Sequence, residues 1–215
     1  MKLGTKSITH RAIDTALESG MFSDIVLSTD SDEIIDHCQE YENQNKIIID
    51  KRPTKFASDE ATVLQAALEL INRLSSEGNA YDTFTIMLAT CPFRSCNDIT
   101  SGFDLFNYNL DAVISVTEYS FPWEFAMDMD VNEFIKPTLK NSPLITKKTR
   151  TQDKKRIYHP NGAFYICNWN KLIENENFFV GKVKGYIMDA IHSQDIDDEN
   201  DLILSNYLLN KGHVK

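Results

Sequence analysis

Several familiar features are missing from this chain. No window approaches eighteen uninterrupted apolar residues, so the sequence offers no candidate membrane-spanning helix. The N-terminus, Met1-Lys2-Leu3-Gly4-Thr5, has no apolar signal-peptide core, and the expected location is the cytoplasm. Cys38, Cys91, Cys96 and Cys167 form no C-x₂-C pair, and none has a histidine at zinc-ligand spacing. They read as free, mostly buried thiols of a reducing compartment. The five histidines are scattered, which argues against a histidine-based metal site. Positive charge is also short. A formal net charge of −10 argues against a nucleic-acid surface, because phosphate backbones need clustered Lys and Arg. A small anionic ligand stays open, since a few local cations suffice for it.

What is present fits one sizeable α/β domain. The chain has 215 residues, 42% hydrophobic and 25% charged, long enough for a full core. Apolar residues recur at helical spacing over Ile8–Ser19, and Gly20 marks the stop. A short strand is predicted at Asp24–Ser28, a helix at Asp32–Tyr41 and a strand at Lys46–Ile49. Ser58 is the expected N-cap of a long helix, Asp59–Ser76. Further strands are predicted at Phe84–Leu88, Ala112–Val116, Gly162–Cys167 and Lys182–Met188. Helices are predicted at Asn97–Tyr108, 168–175 and Glu199–Leu209. Strands alternating with helices predict a doubly wound, mainly parallel sheet covered on both faces. No internal repeat is visible.

The rhythm breaks between Thr117 and about Tyr158. That stretch carries Pro122, Pro137 and Pro143, and then two basic runs, Lys147-Lys148-Thr149-Arg150 and Lys154-Lys155-Arg156. A long irregular segment inside a compact domain is functional, disordered, or an arm for a partner. In doubly wound sheets ligands collect beyond the carboxyl ends of the strands. Ser28-Thr29-Asp30, Ala89–Arg94 and Thr117-Glu118 all occupy such positions.

Near the C-terminus the chain reads Ser193-Gln194-Asp195-Ile196-Asp197. In an extended backbone residues i and i+2 point to one side, so Asp195 and Asp197 can aim two carboxylates at one point. Oxygen-only ligands of this kind suit Mg²⁺, which takes one or two carboxylates and leaves room for water and substrate phosphate. Taken alone, the same pair also reads as a solvated acidic turn. Likewise Tyr165 and Phe178-Phe179 read alone as packing residues, and Arg94 as a residue that holds its own loop.

Taken together, several segments resemble the cytidylyltransferases that activate sialic acid and related nonulosonic acids. They are IDTALESG (Ile13–Gly20), IVLSTDSDEI (Ile25–Ile34), RPTKFASDEAT (Arg52–Thr62), TCPFR (Thr90–Arg94), ISVTE (Ile114–Glu118), HPNGAFYI (His159–Ile166), FFVGKVKGYIM (Phe178–Met188) and SQDID (Ser193–Asp197). They run in family order over nearly the whole chain. The resemblance implies a Rossmann-like nucleotide-binding sheet in a homodimer. It implies that CMP from CTP is joined to an acidic nine-carbon sugar with Mg²⁺, and that pyrophosphate is released. By the same resemblance Asp195 and Asp197 are the metal-binding and catalytic pair. Arg52 lies beside the cytidine, Thr62 near a base-binding position, and Thr90, Arg94 and Arg150 with the substrate-binding residues. Asn161, Tyr165, Phe178 and Phe179 lie near the sugar acid. Residues 1–116 would form the nucleotide-binding part, 117–158 an inserted dimerisation arm, and 159–215 the rest of the domain with the sugar and metal site.

Two departures from the family pattern bear on activity. Family members begin with a strand and a P-A-R-G-G-S-K loop whose amides and basic groups hold the triphosphate. Here Leu3-Gly4-Thr5-Lys6 matches the turn beyond that motif, and no Gly-rich basic loop occurs elsewhere. The expectation is therefore a sheet without its first, central strand and weak or absent turnover by this polypeptide. On the sugar side, Leu88 stands where a glutamine is usual, and Arg150-Thr151-Gln152 where the family has R-R-Q. Such changes alter which sugar hydroxyls are satisfied. The alternatives are a nucleotidyltransferase for another acidic sugar and a silent dimeric binder of nucleotide or sugar.

Overall fold

The computed structural model describes residues 1–215 except 45, 59, 151–154 and 215. The chain opens with a minimal hairpin, β1 (Lys2–Leu3) against β2 (Lys6–Ser7), whose Leu3 is fully buried. Helix α1 (Ile8–Ser19) follows with the bounds the sequence predicts. The Ser7 hydroxyl accepts from His10 N at its start, and Gly20 closes it at φ 65°, a left-handed conformation that glycine adopts without a Cβ penalty.

β3 (Val26–Thr29), α2 (Asp32–Asn43) and β4 (Ile48–Lys51) form a parallel βαβ unit with Val26 opposite Ile48. Ser31 caps α2. The predicted N-cap of the next helix is corrected. α3 spans Val63–Ser76, and its N-cap is Thr62, not Ser58. The reason is a reciprocal capping box: Thr62 Oγ1 accepts from Gln65 N at 3.2 Å, and Gln65 Oε1 accepts from Thr62 N at 2.9 Å. Asp59, the predicted first residue, lies outside the described residues.

The main sheet has four strands in the order β10 (Val183–Ile187), β6 (Ala112–Glu118), β9 (Tyr158–Asn168), β5 (Thr83–Ile86). β10 runs parallel to β6, but β9 is antiparallel to both of its neighbours. The sheet is therefore mixed where the sequence rhythm predicts a mainly parallel one. β6 reaches β9 through residues 119–157 rather than through a crossover helix, and that long excursion lets the chain return in the opposite direction. Helices α4 (Cys96–Leu105), α6 (Trp169–Asn175) and α7 (Glu199–Asn210) complete the mixed α/β fold. No helix among the described residues is long and apolar enough to cross a membrane.

Two large apolar clusters anchor the four-stranded sheet. One gathers Ile71, Ile114, Cys167, Trp169 and Phe178; the other gathers Ile99, Val113, Phe164 and Ile166. The excursion holds β7 (Met127–Met129), β8 (Ile135–Pro137) and a short α5 (Pro143–Thr146). β7 and β8 form an antiparallel hairpin, all of whose residues are exposed except the half-buried Pro137.

Candidate active site

The site is built on a distortion of β9. Between Ile114 and Val116 the β6–β9 register shifts, so Ile114 faces Tyr165 while Val116 faces Pro160. Gly162 sits in this bulge at φ 75°, and a Cβ there would lie 2.9 Å from Leu88 and 3.0 Å from Cys91 Sγ. Only glycine fits both the backbone and the space. Buried Ser115 replaces the lost ladder bonds: its hydroxyl donates to Phe164 O at 3.0 Å and accepts from Phe164 N at 2.8 Å.

The bulge turns Asn161 inward. Its Nδ2 donates to Ser193 Oγ at 2.7 Å and its Oδ1 accepts from Ala163 N at 3.2 Å. The predicted sugar-binding amide is therefore spent as a strut between β9 and the turn that precedes Asp195. That turn is pinned a second time, because Ile196 N donates to Thr90 O at 2.9 Å and the Ile196 side chain is buried. With Ile196 inward, Asp195 is half-buried and Asp197 exposed on either side of it. The alternation read from the sequence holds, although the segment is loop rather than strand.

The two carboxylates sense one another. The negative charge of Asp195 is the chief cause that pushes the Asp197 carboxyl above the usual carboxylate range, followed by burial and by Asp201 and Asp198. A like-charged pair on a rim fits a divalent cation, which would relieve the repulsion and still leave positions for phosphate and water. The donor set is oxygen only, as magnesium requires. α7 fixes the segment from the other side. Asp198 caps it, accepting from Asn200 N and Asp201 N, while Asp201 Oδ2 accepts from Asp197 N and Asp198 N. This capping box is legible as Asp198-x-x-Asp201 but plays no part in the sequence-based site.

Cys91 and Arg94 are the buried floor. Cys91 Sγ–H donates to Asn161 O at 2.9 Å and lies 3.6 Å from Asp195 Oδ1, and burial pushes the thiol up to about 12. Sequence reasoning missed Cys91 as a neighbour of Asp195, for nothing in the loop TCPFR signals it. Arg94 is 3% exposed, and its two terminal nitrogens donate to Ala163 O and Leu88 O. Burial pulls its guanidinium down to about 10, against the opposing pull of Cys91 and Asp195. It ties the loop to β9 instead of presenting a cation to a ligand.

Tyr165 borders the pair as well. Its phenol is raised first by burial and then by the nearby Cys91 and Asp195. Its ring meets Phe178 at 5.2 Å and Phe179 at 6.3 Å. Phe178 is core, whereas Phe179 is 56% exposed and offers the trio a solvent-facing aromatic edge. The structure thus brings together Asp195, Asp197, Thr90, Cys91, Arg94, Asn161 and Tyr165, with both phenylalanines behind Tyr165.

Arg52 and Thr62 are not drawn into this group. Arg52 follows β4, and its guanidinium donates to Ser28 Oγ at 3.2 Å and to Ser28 O. Thr62 is the α3 cap. Arg150 is exposed beyond α5, and the Thr151-Gln152 part of its motif lies outside the described residues.

An α/β sheet with a carboxylate pair at its rim has the layout of a nucleotide-transferring enzyme. The solved structure of CMP:2-keto-3-deoxy-manno-octonic acid synthetase complexed with CTP shares the fold, with a TM-score of 0.69 at 10% identity over 99% of this chain and 91% of that one. A family profile described as cytidylyltransferase matches residues 1–92. The pseudaminic acid cytidylyltransferase of Campylobacter jejuni is 26% identical over 97% of this chain and 87% of its own length. The N-acylneuraminate cytidylyltransferase of Escherichia coli is 29% identical over 93% of this chain and 45% of its own. The chain is thus similar to cytidylyltransferases, by profile over residues 1–92 and to these relatives over nearly its whole length.

Proposed function

We propose that the protein couples CMP from CTP to a nonulosonic acid, an acidic nine-carbon sugar, with release of pyrophosphate. One observation carries the reading: Asp195 and Asp197 flank a buried Ile196 that is hydrogen-bonded to Thr90, so two interacting carboxylates sit beside an aromatic sugar-sized surface. The names of the Campylobacter jejuni and Escherichia coli relatives support the substrate class.

Asp195 and Asp197 would hold Mg²⁺, which when bound neutralises phosphate charge and lowers the pKa of the attacking sugar hydroxyl. The chain's own residues do the positioning. Asn161, Ser193 and the α7 cap fix the carboxylates before substrate arrives, so no reorganisation is needed on reaction. Tyr165 and Phe179 give the sugar an apolar face and exclude water. Arg52, held on Ser28, orients the β3–β4 rim toward the base, and Arg150 meets the sugar carboxylate from the exposed segment. The sheet is read as Rossmann-like, and residues 117–158 as a dimerisation arm capping the neighbouring site. The protein is read as cytoplasmic.

Turnover is tested by following pyrophosphate release from CTP with Mg²⁺ and, in turn, N-acetylneuraminic, pseudaminic and legionaminic acids. Asp195→Asn and Asp197→Asn are expected to lower kcat by roughly 100-fold or more, the scale of losing an electrostatic group that acts in the transition state. Activity unchanged in both variants would sink the assignment. A second reading, a binder without turnover, is favoured by the way Arg52 and Arg94 both spend guanidinium donors on backbone carbonyls. It predicts that CTP binds while no pyrophosphate appears with any of the three sugars.

A further inference from the structure

The acidic pair is backed by a small apolar core of its own. Leu3, Ile8, Phe93, Ile196 and Val214 are buried in one cluster, with Leu202, Leu208 and Leu209 of α7 packed against it. None of these residues belongs to either cluster on the four-stranded sheet. Two of them carry the site. Ile196 stands between Asp195 and Asp197, and Phe93 belongs to the loop whose Thr90 O accepts from Ile196 N at 2.9 Å. Leu3 and Val214 come from the two ends of the described chain.

Each end is tied down by its own device. Past α7, Gly212 N donates to Leu209 O at 3.1 Å and His213 N donates to Leu208 O at 3.0 Å. These are the paired bonds that turn a chain back at a helix end, and Gly212 takes the left-handed φ of 72° that the turn requires. The reversal folds Val214 onto the cluster that Leu208 and Leu209 join. At the other end Gly4 N donates to Asn206 Oδ1 of α7 at 3.3 Å, and Arg11 Nη2 donates to Leu3 O at 3.2 Å, which seats Leu3. Phe93 and Val214 also border a cleft of about 560 Å³ that reaches His192, three residues before Asp195. The cluster therefore has open space beside Val214, on a side that the four-stranded sheet does not support.

We propose that this satellite core sets the spacing of the Asp195 and Asp197 carboxylates, and that Val214 and Leu3 are positioning residues for the cation the pair would hold. The two aspartates share one short stretch of backbone with Ile196. When the Ile196 side chain is held, both carboxylates keep their directions; when it slips, both turn. Like charge drives them apart, so the packing has to resist that repulsion before a cation arrives. Packing at a distance from the reacting groups can act in this way, because small misplacements weaken a preorganised site steeply. The cation half of the inference rests on the carboxylate-pair reading given above, whereas the ordering of Ile196 does not.

The test uses the full chain and two readouts that need no turnover: amide exchange at Ile196, and Mn²⁺ affinity by water-proton relaxation. Val214→Ala is expected to speed exchange of Ile196 N about tenfold, while Ala112–Ser115 and Ala163–Ile166 keep their wild-type rates. The same variant should weaken Mn²⁺ binding about fivefold. Gly212→Ala, strained at its φ, should act in the same direction, and Val214→Ile should restore both readouts. Wild-type Mn²⁺ affinity in Val214→Ala overturns the proposal. So does exchange that quickens equally across the four-stranded sheet, because Val214 would then be a general stabiliser. Asp195→Asn, measured alongside, separates this result from the metal assignment. If Asp195→Asn keeps the wild-type Mn²⁺ affinity, the assignment fails, and exchange at Ile196 alone then decides whether the core orders the segment.

Discussion

Arg94 shows how a charged side chain can serve the site without touching a ligand. It is buried beside Asp195, and its donors hold Ala163 O and Leu88 O. Removing the guanidinium takes that donor from Ala163 O and leaves Leu88 O only the 3.3 Å bond from Cys91 N, so Arg94→Met is expected to lose about 2 kcal/mol of stability in urea unfolding. Arg94→Lys should recover only part, for an ammonium cannot span the same two acceptors in one plane. Asp14 offers a pH readout. Burial pushes its carboxyl up, but hydrogen bonds from Lys6 Nζ and Tyr41 OH, both short, outweigh that and hold it below the usual range. A carboxyl lowered on folding contributes stability at neutral pH and loses it as pH falls through the folded value. Asp14→Asn should therefore cost about 1 kcal/mol at pH 7 and almost nothing near pH 2, as measured by thermal melts across pH.

Among the elements, α3 and the segment before α7 are both set by capping boxes, and each touches a sequence-based site residue. The Thr62 hydroxyl accepts from Gln65 N, so Thr62→Ala is expected to cost about 1 kcal/mol and Thr62→Ser little. If capping is its main role, the CTP KM of Thr62→Ala will change by less than about twofold, and a large KM change with intact stability would restore a base-binding role. Asp198 and Asp201 do the corresponding work for Asp197. The acidic pair is thus positioned by a helix start, which is why a bare D-x-D motif understates how ordered it is.

For the whole molecule, the excursion between β6 and β9 carries several large apolar side chains on its surface. Trp123, Met129, Phe134 and Ile135 are 48%, 67%, 73% and 57% exposed, and Val131 is 98% exposed. Were these side chains the interface of the proposed dimer, charging them would separate it. The double variant Phe134→Asp/Ile135→Asp is expected to shift sedimentation from dimer to monomer while leaving the melting of the β5–β6–β9–β10 sheet nearly unchanged. A wild-type chain that already sediments as a monomer would refute the dimer.

Periodicity and composition were enough for most elements, because α1, α2, α7 and the strands Ala112–Val116 and Lys182–Met188 are local patterns of apolar spacing and caps. The burial of Ile196 between two less buried aspartates follows the same local alternation. Long-range geometry decided the rest. The reversed direction of β9, the bulge at Gly162, the inward turn of Asn161 and the burial of Arg94 all depend on which segments lie opposite one another. No local window encodes that. A guanidinium on a loop reads the same in sequence whether it faces a phosphate or two backbone carbonyls, and only packing distinguishes them.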